Sequence, residues 1–243
     1  MAGKPRSGDL HPGVGLRIRW DVERPPHEVV EAFGAFETPD VSDLMNRLYT
    51  MTSAVAPVTD PGLKLVGPAC TVKVFPGDNL MVHKALDIAR PGDVIVVDAA
   101  GSHTAAVLGD LVSTKARHRG VAGFVVDGLV RDLPGILRLG DFPVFARGVT
   151  PIGPLHRGPG EINYPVSVGG VVVNPGDVVV GDRNGVVVVP RESAADVLER
   201  LRARSANEAD YLAAVARGEF SNAWVDEVLE AAGVPTEPPD AEG

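Results

Sequence analysis

Gly120-Val121-Ala122-Gly123-Phe124-Val125-Val126-Asp127-Gly128-Leu129-Val130-Arg131-Asp132 reads as one buried strand that runs out into a glycine-containing turn and ends on a guanidinium beside a carboxylate. A short apolar run bounded by glycines fits a strand covered on both faces. Open α/β sheets bind ligands where such strands leave the sheet, which is where Arg131 and Asp132 fall. Adjacent residues in an extended or turning segment point in different directions, so the two need not simply neutralise each other. Arg131 can fork onto a carboxylate, and Asp132 can offer oxygen to a hard divalent cation. A surface ion pair or a helix cap would show the same two residues.

Outward from this strand the pattern repeats. LVGPACTVKV from Leu65, VIVVD ending at Asp98, PVFARG, VSVGGVVV, DVVVGD and NGVVVVP bring the expected count to seven strands. Helical stretches at about 79–89 and 105–119 would supply crossovers, which makes the body mixed α/β. Upstream, PPHEVVEAFGAF and the start signals Thr38-Pro39-Asp40 predict helices suited to a lid or an oligomer contact. Downstream, Ser193 and Asp196 resemble a capping box opening a charged helix that should stop at Gly218. Residues 1–25 and 233–243 are polar and rich in Pro and Gly, so both are expected as flexible ends around a single domain at 26–232. The segments Pro91-Gly92-Asp93 and Pro175-Gly176-Asp177 each read as a tight turn entering a strand, without the glycine spacing of a nucleotide loop.

Composition narrows the function classes. The chain has 243 residues and is 44% apolar, yet no window approaches the roughly 18 consecutive apolar residues of a membrane span. No membrane partner is expected. The N-terminal stretch MAGKPRSGDLHPG has no apolar signal region, and Cys70 is the sole cysteine, so the cytoplasm is the expected compartment. A net charge of -9 is the wrong sign for a protein held by nucleic-acid phosphates. Aromatic residues, 5% of the chain, are too sparse for a base-stacking platform, and Trp20 and Trp224 are expected to pack near the termini.

A second segment, Gly101-Ser102-His103-Thr104-Ala105-Ala106-Val107-Leu108-Gly109-Asp110-Leu111-Val112-Ser113-Thr114-Lys115-Ala116-Arg117, follows the VIVVD strand and turns helical. Backbone N–H groups around Gly109 could converge on a carboxylate there. Equally, Gly109 could relieve crowding against the sheet while Asp110 complements a helix dipole. His83, His118 and His156 lack metal-ligand spacing and read as surface or loop. His103 falls in the turn before Gly109.

Taken in order, GSxxxAxxGDLxxxxARxxGVAGxVVDGxVRD followed by VxVGGVxVNPGDxVxGDxxGVVVVP resembles the RraA-like family over about residues 38–218. That family includes class II pyruvate aldolases acting on 4-hydroxy-4-methyl-2-oxoglutarate and 4-carboxy-4-hydroxy-2-oxoadipate. The resemblance implies a layered α/β/β swivelling domain assembled as a homotrimer or homohexamer, with sites at subunit boundaries. It implies that the Gly109, Asp110, Leu111 and Val112 amides bind the pyruvyl carboxylate and that Arg131 contacts substrate oxygens. Asp132 would be the direct ligand of Mg2+ or Mn2+. Asp110 and an acidic residue of a neighbouring subunit's C-terminal helix, here Glu208, would bind the waters around the metal. The implied reaction is cleavage of a 4-hydroxy-2-oxo diacid to pyruvate and a second 2-oxo acid, with oxaloacetate decarboxylation as a side activity. The same family contains non-catalytic regulators that bind an endoribonuclease, and a related 2-oxo acid decarboxylase or hydro-lyase is a third reading.

Overall fold

The computed structural model describes residues 10–235, apart from the side chains of residues 207–209. Two compact units divide the chain, one ending at Leu201 and the other beginning at Arg202.

In the first unit, strand β1 (Leu16–Ile18) precedes helices α1 (His27–Ala32) and α2 (Thr38–Leu44). The two-residue strand β2 (Ala56–Pro57) and the long strand β3 (Leu65–Val74) follow. Next come α3 (Leu80–Ala85), β4 (Val94–Asp98), β5 (Ala106–Leu108), α4 (Asp110–His118), β6 (Gly123–Val130), α5 (Leu133–Leu137) and β7 (Val144–Val149). Strands β8 (Gly160–Ile162), β9 (Val166–Val168), β10 (Val171–Val173), β11 (Val178–Asp182) and β12 (Gly185–Val189) complete the body. The predicted helices are shorter than expected, because Ala106–Leu108 is extended and pairs in parallel with β6.

Strands β3, β4, β6 and β7 run parallel, as their helical crossovers require. β3 serves three partners along its length: Leu65–Pro68 pairs with β11, Ala69–Lys73 with β4, and Val72–Val74 with β8. Pro68, which has no N–H to donate, stands at the changeover. Side chains alternate between two buried faces. Val72, Ile95, Val97, Phe124 and Val126 pack under the α3 and α4 residues Met81, Val82, Val112 and Ala116. Ala69, Val94, Val96 and Val125 pack on the opposite side against β9–β12. The far face of the β11–β12 hairpin then meets Val30, Phe33 and Val41 of the N-terminal helical segment. These layers are the expected α/β/β arrangement, and they explain why the strands read as continuous apolar runs.

Several local expectations change. Among the described residues the count of seven strands becomes twelve, because VSVGGVVV is two strands turning at Gly169-Gly170 and residues outside the apolar runs add short ones. Residues 16–18 of the expected arm belong to the sheet: β1 pairs with β8, Leu16 and Ile18 pack on the core, and Arg17 Nε meets Glu161 Oε1 at 2.7 Å, while residues 1–9 lie outside the described residues. Arg24 grips the buried Asp93 with two nitrogens at 2.8 and 2.7 Å. Ser193 lies in a 3-10 turn, Arg191–Ser193, ahead of helix α6 (Ala194–Ala216), which ends before Gly218 as expected. The second unit holds the rest of α6 and helix α7 (Ala223–Ala231). Trp20 and Trp224 are both exposed rather than packed, Trp20 lying under the Lys84 ammonium 4.9 Å from its ring centroid. Both Pro-Gly-Asp turns are structural: Asp93 accepts from the Arg90 N–H and Asp177 from the Asn174 N–H. Among the described residues no helix is long and apolar enough to cross a membrane.

Candidate active site

Parallel strands β5 and β6 end side by side, and each ending supplies half of the site. After β5, Gly109 leads into α4; after β6, Arg131 and Asp132 lead into α5. The Arg131 N–H donates to Leu108 O at 3.0 Å, which locks the two exits together.

Ser113 N–H and Oγ both donate to Gly109 O at 3.0 Å, the first bond of α4. The N–H groups of Gly109, Asp110, Leu111 and Val112 therefore have no partner within the helix, and no side chain caps it. Open amides at a helix start favour an anion through both hydrogen bonding and the helix dipole. Gly109–Val112 thus stand at the uncapped start of α4.

Asp132 adopts the left-handed conformation, φ 54° and ψ 36°, and its carbonyl accepts from Gly135 N–H at 2.8 Å and Ile136 N–H at 3.2 Å. The backbone at Asp132 is thereby consumed by α5 while its carboxylate turns back towards Gly109. A Cβ on Gly109 would sit 2.5 Å from Asp132 Oδ2 and 3.1 Å from Arg131 Cγ. Glycine at 109 is what lets the acid, the guanidinium stem and the amides share one corner. Similarly, a Cβ on Gly135 would overlap the Asp110 carboxylate, and one on Gly153 would overlap the Arg131 guanidinium. Arg131 Nε and Asp132 Oδ2 are 3.2 Å apart, with side chains 40% and 44% exposed. An ion pair this accessible is weak and leaves both groups open to a ligand.

The corner opens into a cleft of about 260 Å³ lined by Asn79, His83, Leu108, Gly109, Leu111, Val112, Arg131, Asp132, Pro154 and His156. That volume suits a small acid rather than a nucleotide, since drug-sized ligands occupy about 300–1,000 Å³. His156 is exposed and in a loop, as expected from the sequence, whereas His83 is half-buried on α3. They lack ligand spacing in the chain, but the fold brings their rings to a 5.7 Å edge-on contact. His156 Nδ1 lies 2.6 Å from Oδ1 of the buried Asn79. Burial, then the charges of Lys115 and His156, hold the His83 imidazole below its usual range. From the segment 151–163, Pro154 and His156 line the cleft. Ala106 N–H donates to Ile152 O, Leu155 N–H to Gly77 O and Asn79 N–H to Leu155 O, at 2.9, 2.8 and 3.0 Å. His103 and His118 are exposed and outside the cleft lining. The Glu208 side chain lies outside the described residues.

The donor set suits a hard cation. Asp132 and Asp110 offer oxygen, the Asp132 carboxylate lying against Gly109 and the Asp110 carboxylate against Gly135. Among the described residues no group of three or more His, Cys, Asp or Glu could hold a metal. A four-ligand zinc cage therefore has no counterpart there, whereas Mg2+ keeps most of its waters and needs only one or two carboxylates.

A family model described as RraA-like, Aldolase/RraA, matches residues 38–188. A protein of Halalkalibacterium halodurans named "Putative 4-hydroxy-4-methyl-2-oxoglutarate aldolase" is 42% identical over 181 residues, which are 74% of this chain and 85% of that one. An uncharacterized protein from Pseudomonas syringae superposes with a TM-score of 0.73 at 29% identity, over 82% of this chain and 97% of its own. Streptomyces coelicolor RraAS2, described as an unusual member of the RNase ES inhibitor RraA protein family, gives 0.71 at 32% identity, over 77% and 97%. Fold and site together define a layered α/β protein with a small cleft where strands β5 and β6 end. The chain belongs to the RraA-like, Aldolase/RraA family.

Proposed function

We propose that this protein is a divalent-metal-dependent aldolase that cleaves a 4-hydroxy-2-oxo diacid to pyruvate and a second 2-oxo acid, and that decarboxylates oxaloacetate at the same site. The observation that carries this reading is the single corner formed by the unpartnered amides of Gly109–Val112, the Arg131 guanidinium and the Asp132 carboxylate.

The amides receive the carboxylate next to the keto group, and Arg131 donates to substrate oxygens with a planar fork suited to carboxylate and keto geometry. Asp132, with Asp110 behind it, would hold Mg2+ or Mn2+, which when bound supplies Lewis-acid stabilisation of the charge that grows on the keto oxygen. Arg131 beside the C4 hydroxyl favours transfer of its proton to solvent water, because a fixed positive charge stabilises the alkoxide, and the enolate left by cleavage takes a proton from water to become pyruvate. Retro-aldol cleavage and loss of CO2 from oxaloacetate both leave the three-carbon enolate, so one cradle serves both reactions. No lysine is required for a Schiff base.

The reading includes a cytoplasmic homotrimer or homohexamer in which Glu208 of a neighbouring subunit completes the acidic set. The exposed Leu111, Ile152 and Leu155 around the cleft support such coverage. The test is pyruvate release from 4-hydroxy-4-methyl-2-oxoglutarate and from oxaloacetate, with Mg2+ and after chelation. Metal-dependent release is expected, and none with either substrate overturns the proposal.

The similarity to RraAS2 favours a second reading, a regulator that binds an endoribonuclease. Stoichiometric inhibition of such a nuclease by the Asp132→Ala variant, with no lyase activity in the wild type, would select it.

A further inference from the structure

The cleft has two poles. One is the corner of open amides, Arg131 and Asp132; the other is the wall carried by α3 and the segment 151–159, where His83 and His156 meet edge-on. Pyruvyl chemistry uses only the first pole. The second is built with care: Asn79 is 2% exposed, its N–H is bonded to Leu155 O, and its side-chain oxygen holds His156 Nδ1 at 2.6 Å. Asp78 beside it accepts from the N–H groups of Leu80 and Arg157 at 2.9 and 2.6 Å, which fixes the segment on both sides of His156.

With Nδ1–H donating to Asn79, Nε2 is the ring atom left for a ligand. Lys115 on α4 adds positive charge near this wall, as its effect on His83 shows. A carboxylate is met there by Nε2–H of the imidazole form that carries hydrogen on both nitrogens.

Resting on the aldolase reading above, we propose that His156, positioned by Asn79 and backed by His83, is the specificity residue that binds the far carboxylate of the substrate. The site thereby selects 2-oxo diacids over pyruvate, which lacks the far carboxylate. Discrimination of about tenfold or more is expected from one charge-assisted contact.

The experiment is calorimetric titration of the full-length protein with Mg2+ present, using pyruvate and the uncleavable diacid 2-oxoglutarate as probes. The wild type should bind 2-oxoglutarate about tenfold more tightly than pyruvate. His156→Phe, which keeps a ring but no donor, should erase that preference while leaving pyruvate affinity within about twofold. His156→Gln should restore part of it. A His156→Phe variant that keeps the full preference overturns the proposal, as does a wild type that binds pyruvate and shows no preference. Failure of the wild type to bind either acid overturns instead the pyruvate-site reading, taking this one with it.

Discussion

Asp132 Oδ2 lies 2.5 Å from the point that a methyl group on Gly109 would occupy. Gly109 itself has φ -148°, an extended conformation open to any residue, so alanine there meets no backbone penalty. The cost of Gly109→Ala falls on the neighbouring carboxylate and on Arg131 Cγ, which must both move. Displacement of about 1 Å at a reacting centre costs on the order of 100-fold in rate. The variant should therefore lose about that much pyruvate-forming activity while its melting temperature stays within a few degrees. A thermal scan beside an oxaloacetate decarboxylation assay checks both halves.

Asp132 combines a side-chain role with a backbone one, and two variants separate them. Its left-handed φ of 54° is tolerated by Asn but costs Ala about 1 kcal/mol. Asp132→Asn should keep wild-type stability and lose the response of activity to Mg2+. Asp132→Ala should lose both the response and about 1 kcal/mol in urea unfolding. Equal magnesium dependence in Asp132→Asn and wild type would remove Asp132 from the metal site.

The half of the site that could be read from the chain is the half written contiguously. Arg131 and Asp132 follow a strand whose apolar run and exit point to the ligand side of the sheet, whereas Gly109 stands out only as a glycine in a segment that reads as helical, the strand ahead of it being unread. Asn79, His83, Gly153 and His156 were beyond such reading. His156 reaches Asn79 across 77 positions, through a bridge between Asp78 and Leu155 that no local pattern announces. The same limit hid β1, whose pairing with β8 joins residues 144 apart in a segment with turn-like composition. Burial on both faces was legible because apolar runs encode it directly, whereas the order of strands depends on contacts between distant segments.

Arg24 illustrates an interaction invisible from composition and testable on stability alone. Its side chain is 12% exposed and forks onto Asp93, itself 1% exposed, pinning the chain ahead of α1 to the turn before β4. Removing one member of a buried pair strands the other charge, at a cost of about 3–5 kcal/mol. Arg24→Ala should lower the urea midpoint accordingly. Arg90→Ala, whose partner Asp21 is exposed, should shift it by less than about 1 kcal/mol.

Asp182 sets the acid limit of the fold. It closes the β11–β12 hairpin and accepts from Thr38 N–H at 2.8 Å, Thr38 Oγ1 at 2.7 Å and Asn184 N–H at 2.8 Å, joining α2 to the hairpin. Burial by itself would raise its pKa, but the donors from Thr38 and Asn184 outweigh it and hold the group well below the usual carboxylate range. A depressed folded-state pKa contributes stability that is fully present above the unfolded value and is lost as pH falls through the folded one. Asp182→Asn should therefore be less stable than wild type by about 2 kcal/mol at pH 7. The gap should narrow as the solution is taken below the ordinary aspartate range, because the wild type alone gives up the charged form. Urea unfolding of both proteins between pH 7 and pH 3 measures it, and a gap independent of pH would show that the ionised carboxylate contributes nothing beyond its shape.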